Sequence, residues 1–145
     1  MAATRLRSRC STWCLAERVH RIVQPSSIAP PAANYAHAVR VDAATCWLHT
    51  SGVVPVAPDG STPVDIGDQA DLVWRNIGAM LDEAEMAPSD VVSVTTYVVA
   101  GEALATVMAA RDRFLGTHRA ASTLVTVAAL AQPAWRMEIA IVAAR

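Results

Sequence analysis

The chain ends through "AASTLVTVAALAQPAWRMEIAIVA", Ala120 to Ala143, in which two extended runs stand on either side of Pro133. Ser122 to Leu130 alternates small and branched apolar residues and predicts a strand; "RMEIAIVAA", Arg136 to Ala144, predicts another. Pro133 donates no backbone hydrogen bond, so the break between the strands falls there. Just upstream, "EALATVMAARDRFLG" sets Leu104, Val107, Met108, Arg111, Phe114 and Leu115 at helical spacing, closed by Gly116 as C-cap. A helix followed by two successive strands departs from the strict alternation of a doubly wound sheet, and this decides the fold class.

Working outward, "VVSVTTYVV", Val91 to Val99, is almost wholly β-branched or aromatic, as a central strand requires. Before it, Ile66, Ala70, Val73, Ile77, Met80, Leu81 and Ala84 recur at steps of three and four. They predict a helix from Asp65, its N-cap, to Glu85, with Gly78 costing about 1 kcal/mol relative to alanine. Turn chemistry at Pro58, Asp59 and Gly60 precedes that helix. "YAHAVRVD" and "CWLHTSGVVPV", separated by "DAAT", read as the two arms of a hairpin. "PSSIAPPAAN" is a loop stiffened by Pro30 and Pro31, and "RVHRIVQ" is a short strand. The order β, β, β, α, β, α, β, β places helices on one face of a mixed sheet.

Residues 1–17, with Arg5, Arg7 and Arg9 and no acid before Glu17, have the composition of an organellar transit peptide but lack the apolar core of a secretory signal. The alternatives are a disordered tail and a start site placed too far upstream. The expected organisation is therefore an N-terminal extension over 1–17 and a single domain over 18–145. At 145 residues, such a chain buries roughly 68–70% of its unfolded surface and folds without a disulfide or metal. Hydrophobic residues make up 53% of it, yet no apolar run reaches the ~18 residues of a membrane span. The surplus apolar surface points to contact with another subunit.

Lys and Arg total 12 against 13 Asp and Glu, and aromatics are 5%. Neither a basic field nor a stacking platform is present, so nucleic acid and membrane are not expected partners. Three cysteines, Cys10, Cys14 and Cys46, suit a reducing compartment, and a cytoplasmic location is expected. Cys10, Cys14 and His20 lack a fourth ligand for zinc, and no metal is expected. With no Gly-rich phosphate loop after any strand, no cofactor is expected either.

The ordered part, from about Val19 to Ala144, resembles the RidA/YjgF proteins, which deaminate reactive imines and enamines. The resemblance rests on "APPAANYAHAV", "TSGVVPVAPDG", "QADLVWRNIGAMLDEA" and "VVSVTTYV", and above all on the stretch quoted first. It implies an α+β, chorismate-mutase-like fold, with a six-stranded mixed sheet packed on two helices. It also implies a homotrimer that takes a small-molecule metabolite in a cleft at each subunit interface.

By the same resemblance, Tyr35 lines the cleft, Ser51 and Gly52 form its edge, and Glu138 holds or activates the hydrolytic water. Phe114 falls at the helix end that closes the pocket, with a core position as its other reading. Ser122, followed by Thr123, stands where the typical deaminase has an arginine that pairs with the substrate carboxylate, and Met108 stands at a nearby helix position that is often asparagine in that branch. A hydrogen bond to a charged group contributes about 1.5–3 kcal/mol and a neutral one about 0.5–1.5, so a hydroxyl holds a carboxylate at least several-fold more weakly. Classical deamination of 2-iminobutanoate or 2-iminopropanoate is therefore expected to be slow or absent. A non-catalytic, metabolite-binding or regulatory trimer is the alternative.

Arg119 lies three positions before Ser122, so on an extended strand it points to the opposite face, and an interface or surface salt bridge is its expected use. On spacing alone, Glu138 is a strand carboxylate paired with Arg136 or Arg145. No histidine is placed to activate Ser51, Ser122 or Thr123 as a nucleophile, and His37 and His49 read as structural.

Overall fold

Residues 19–145 are described by the computed structural model, and their elements follow the order read from the sequence. The strands are β1 (His20–Val23), β2 (Ala38–Val41), β3 (Trp47–His49), β4 (Val91–Val99), β5 (Ala121–Val127) and β6 (Met137–Ala144); the helices are α1 (Ile66–Glu83) and α2 (Leu104–Leu115). The expected extension over 1–17, with Cys10 and Cys14, lies outside the described residues. No helix among the described residues is long and apolar enough to cross a membrane.

The α+β class with two helices and mixed strand pairing is as expected, but the strands divide differently. A four-stranded sheet runs β3-β6-β4-β5, with β4 parallel to β5 and antiparallel to β6, while β1 and β2 form a separate antiparallel ribbon. The single six-stranded sheet is thus corrected to two sheets, and one isolated parallel bridge, Ala36 to Ala121, links the Pro-rich loop to β5. The hairpin of "YAHAVRVD" with "CWLHTSGVVPV" is corrected too, since β2 pairs with β1 and β3 with β6. Ala43 turns the chain at φ 53°, and the N–H groups of Thr45 and Cys46 then donate to the Arg145 carbonyl at 2.9 and 2.8 Å. These bonds deliver the chain to the end of β6 rather than back along β2. β3 is short, and beyond it Val53 makes a single bridge to Ile139 before Pro55.

Asp65 caps α1 as expected, accepting from the backbone N–H groups of Gly67 at 2.7 Å and Asp68 at 3.2 Å. In the turn before it, the Ser61 hydroxyl and then the Ser61 N–H hold the Asp59 carboxyl below its ordinary pKa. The stripe Ala70, Val73, Ile77 and Leu81 is buried, whereas Met80 turns outward. On β6, Met137, Ile139, Ile141 and Ala143 are buried while Glu138, Ala140 and Val142 are half-buried. Full burial of each branched side chain contributes about 1.5–3 kcal/mol, which fixes the face that β6 turns to the helices. Among the described residues, no helix lies on the opposite face of the sheet. Val125 and Trp47 remain 40% and 52% exposed, as large apolar groups facing solvent.

Candidate active site

Glu138 lies on the helix-free face of β6, where its cross-strand neighbour on β4 is Tyr97. Tyr97 in turn pairs with Val125 on β5, and the adjacent row is Ala140, Thr95 and Thr123. Thr123 therefore shares a face with Glu138. The Glu138 carboxylate rests against the Cα of Gly52, so closely that a Cβ built there would stand 1.6 Å from Oε1. Arg136, one of the two partners that spacing proposed for Glu138, pairs with Glu102 instead, and Arg145, the other, forms no ion pair with it. Among the described residues no side chain forms an ion pair with Glu138. It is a half-buried carboxylate set over a bare backbone, in a position open to it only because residue 52 has no side chain.

Ser122 is the cross-strand neighbour of Val94 and belongs to the opposite, helix-covered face. There its Oγ accepts from Nη1 of Arg111 at 3.3 Å. Arg111 comes from the apolar stripe of α2, and its side chain is only 7% exposed. Buried arginines need a partner, and Asp112 Oδ1 accepts from both Nε (2.9 Å) and Nη2 (2.8 Å). Asn34 Nδ2 donates to the other Asp112 oxygen at 3.4 Å, and the Ala36 N–H donates to the Ala120 carbonyl at 2.9 Å. The stiff loop is thereby held beside the start of β5. Tyr35 lies between these two ties, edge-on to His37 with ring centres 5.6 Å apart. Met108, half-buried, lies one turn before Arg111 on α2.

The residues proposed from sequence thus fall into two groups. Ser122 bonds Arg111 and Met108 lies one turn before it on α2, while Tyr35 follows Asn34, which is tied to Asp112; Gly52, Thr123 and Glu138 lie on the open sheet face, with the exposed Ser51 next in chain to Gly52. Phe114 belongs to neither. It stacks on Trp74 with ring centres 4.7 Å apart and packs against the core, which is the structural one of its two readings. Arg119 is exposed, and His37 Nε2 donates to the Ala29 carbonyl at 2.9 Å. Arg111 and Asp112 were not singled out from sequence, although an arginine inside an apolar stripe was the available signal. A cavity of about 640 Å³ between α1 and the loop after β3, lined by Leu48, Val56, Asn76, Met80 and Glu83 among others, contains none of the proposed site residues.

Residues 26–145 match the protein family described as endoribonuclease L-PSP. The chain is 34% identical over 100 residues to the 2-iminobutanoate/2-iminopropanoate deaminase of Escherichia coli, covering 66% of this chain and 77% of that protein. It is 31% identical to E. coli TdcF over 74 residues, which is 50% of this chain and only 57% of TdcF. The crystal structure of TdcF with bound serine superposes with a TM-score of 0.65 at 26% identity, covering 86% of this chain and 98% of that one. The crystal structure of the Rid-family protein YyfB from Yersinia pestis superposes with a TM-score of 0.79 at 29% identity, over 88% of this chain and 99% of that one.

Proposed function

Because the chain belongs to the endoribonuclease L-PSP family, the RidA/YjgF proteins, we propose that it hydrolyses a small, reactive imine or enamine metabolite with Glu138 as the water-handling carboxylate. The observation that carries this reading is the Glu138 carboxylate, free of any ion pair among the described residues and seated on Gly52. An enamine first takes a proton at carbon to become the iminium, the protonated imine. A water oxygen then bonds to the iminium carbon, the C=N π pair moves to nitrogen and one water proton passes to Glu138, giving a neutral carbinolamine. Glu138 returns that proton to the nitrogen, the C–N bond breaks with its electron pair leaving on ammonia, and the remaining hydroxyl proton passes to the Glu138 carboxylate and on to solvent, leaving the carbonyl compound. No metal or cofactor enters the scheme.

Glu138 and Ser122 project from opposite faces of the sheet within one chain. A homotrimer whose interface cleft joins the Glu138 face of one copy to the Ser122 corner of another satisfies both groups, and the apolar surface at Val125 and Trp47 supports such a contact. The balance of 12 basic against 13 acidic residues gives no support to nucleic acid as substrate. Ser122 in place of the carboxylate-pairing arginine argues against 2-imino acids as preferred substrates.

The test uses 2-iminobutanoate released in situ by threonine dehydratase, and the uncharged imine preformed from 2-oxobutanamide and ammonia. We expect acceleration of at least one imine, with Glu138→Gln lowering it about 10²-fold, and 2-iminobutanoate turned over at least about tenfold more slowly than by the E. coli deaminase. Undiminished hydrolysis by Glu138→Gln would remove the carboxylate from its assigned place. If the wild-type protein accelerates neither imine, the non-catalytic binding trimer is the better reading.

A further inference from the structure

We infer that Thr50 is a positioning residue for Glu138: the Thr50 hydroxyl replaces the Thr50 carbonyl in the ladder to β6 and so holds open the bulge that sets Gly52 beneath the carboxylate. This rests on the role assigned to Glu138 above and identifies what keeps its seat in place. Along β3 the partners on β6 descend one for one, Trp47 with Ala144, Leu48 with Ala143 and His49 with Val142. Continued unbroken, that register would set Val53 opposite Glu138. Val53 instead lies opposite Ile139, its N–H donating to the Ile139 carbonyl at 2.7 Å and its carbonyl accepting from the Ile139 N–H at 3.1 Å. Between Thr50 and Val53 the chain thus gains one residue on β6, and Ser51 and Gly52 together face Ala140, as in a β-bulge.

The irregularity begins at Thr50. Its N–H donates to the Ile141 carbonyl at 3.1 Å, but the Ile141 N–H donates to Thr50 Oγ1 at 3.0 Å, where a regular antiparallel pair would use the Thr50 carbonyl. Ile141 is buried, so its N–H requires an acceptor, and the hydroxyl supplies one as the Thr50 carbonyl leaves the ladder. β-Branching restricts the Thr50 side chain to few rotamers, which keeps the hydroxyl on this bond. On the far side the bulge is pinned by burial. Val53 and Ile139 both lie in the core, and a one-residue slip would turn Val53 out to the Glu138 face. Ser51 and Gly52 are therefore held from both ends, and the bare Cα of Gly52 stays against the Glu138 carboxylate. Without the hydroxyl, the Ile141 N–H regains an acceptor only if the peptide between Thr50 and Ser51 turns back to the ladder, which draws Gly52 off its place. A base so displaced misses the water it activates, a loss in the chemical step rather than in binding.

Two substitutions in the full chain test this. Thr50→Val keeps the shape of the side chain and removes the acceptor, whereas Thr50→Ser keeps the acceptor. By nuclear magnetic resonance, Thr50→Val is expected to speed amide exchange at Ile141 about tenfold while exchange at Ile139, beyond the bulge, changes less than about threefold. The carbon resonance of the Glu138 carboxyl is expected to move in Thr50→Val and to keep its wild-type position in Thr50→Ser. On whichever imine the wild-type protein turns over, Thr50→Val is expected to lower kcat about tenfold with KM within about twofold, and Thr50→Ser to retain most of the rate. In a Glu138→Gln background, Thr50→Val should lower the rate by less than about twofold more, because no carboxylate is left to position. Losses that multiply in the double variant overturn the inference, as do an unmoved Glu138 resonance or equal rises in exchange at Ile139 and Ile141, which would make the hydroxyl a general support of the fold. Should Thr50→Val not fold, Thr50→Ala, which also lacks the hydroxyl, carries the same outcomes. A wild-type protein that hydrolyses neither imine sinks the hydrolase reading, and the exchange rates and the Glu138 resonance then decide whether Thr50 holds the seat.

Discussion

Gly52 shows how much one missing Cβ decides. Its Cα is the floor beneath the Glu138 carboxylate, and any side chain there would occupy the place of Oε1. The backbone at this position needs no left-handed conformation, so the requirement is space alone. Gly52→Ala is therefore expected to swing Glu138 away from its seat and lower imine hydrolysis about as far as Glu138→Gln, roughly 10²-fold. The half-buried carboxylate can turn toward solvent, so folding stability should change by less than about 1 kcal/mol. Parallel kcat and urea-unfolding measurements separate these effects, and full activity in Gly52→Ala would contradict the arrangement. Sequence alone marked Gly52 through resemblance, but the reason for glycine became legible only with Glu138 laid across it by the Val53 to Ile139 bridge.

At the scale of elements, α1 shows what periodicity reveals and what it leaves out. Its apolar stripe and Asp65 cap followed from spacing, since both are local. The work done by Gln69 did not. This side chain is 1% exposed, donates from Nε2 to the carbonyls of Pro63 (2.7 Å) and Ala134 (2.9 Å), and accepts from the Arg136 N–H at 2.9 Å. It fastens the loop after β5 to α1 and holds Arg136, the residue before β6 and two before Glu138. Gln69→Leu leaves those backbone groups without their partner and is expected to cost about 2 kcal/mol or more, read as a lower urea midpoint at constant m. A shift below about 0.5 kcal/mol would show that water replaces the amide. The misread hairpin has the same origin. Alternation in "CWLHTSGVVPV" tells which side chains share a face, but the partner strand was chosen by Arg145, at the far end of the chain. Arg111 was likewise placed on the inward stripe of α2 by spacing, while its ties to Asp112 and Ser122 depended on how α2 meets β5.

Across the whole molecule, the two faces of the sheet have unequal fates. One is closed by α1 and α2; the other leaves Val125 at 40% exposure beside Tyr97, which is also the cross-strand neighbour of Glu138. A surface that covers Val125 therefore also shields the Glu138 row from bulk water, and a site that handles a single water benefits from that exclusion. Oligomerisation and catalysis should then be lost together. Val125→Glu places a charge on this face without touching the helix-packed core, and it is expected to sediment as a monomer while retaining the far-ultraviolet circular dichroism of the wild-type protein. Its imine hydrolysis should fall at least about tenfold, and the wild-type protein should lose specific activity on dilution as subunits separate. A wild-type chain that sediments as a monomer yet hydrolyses imines at full rate would defeat this coupling, because Glu138 would then complete its site without a second copy.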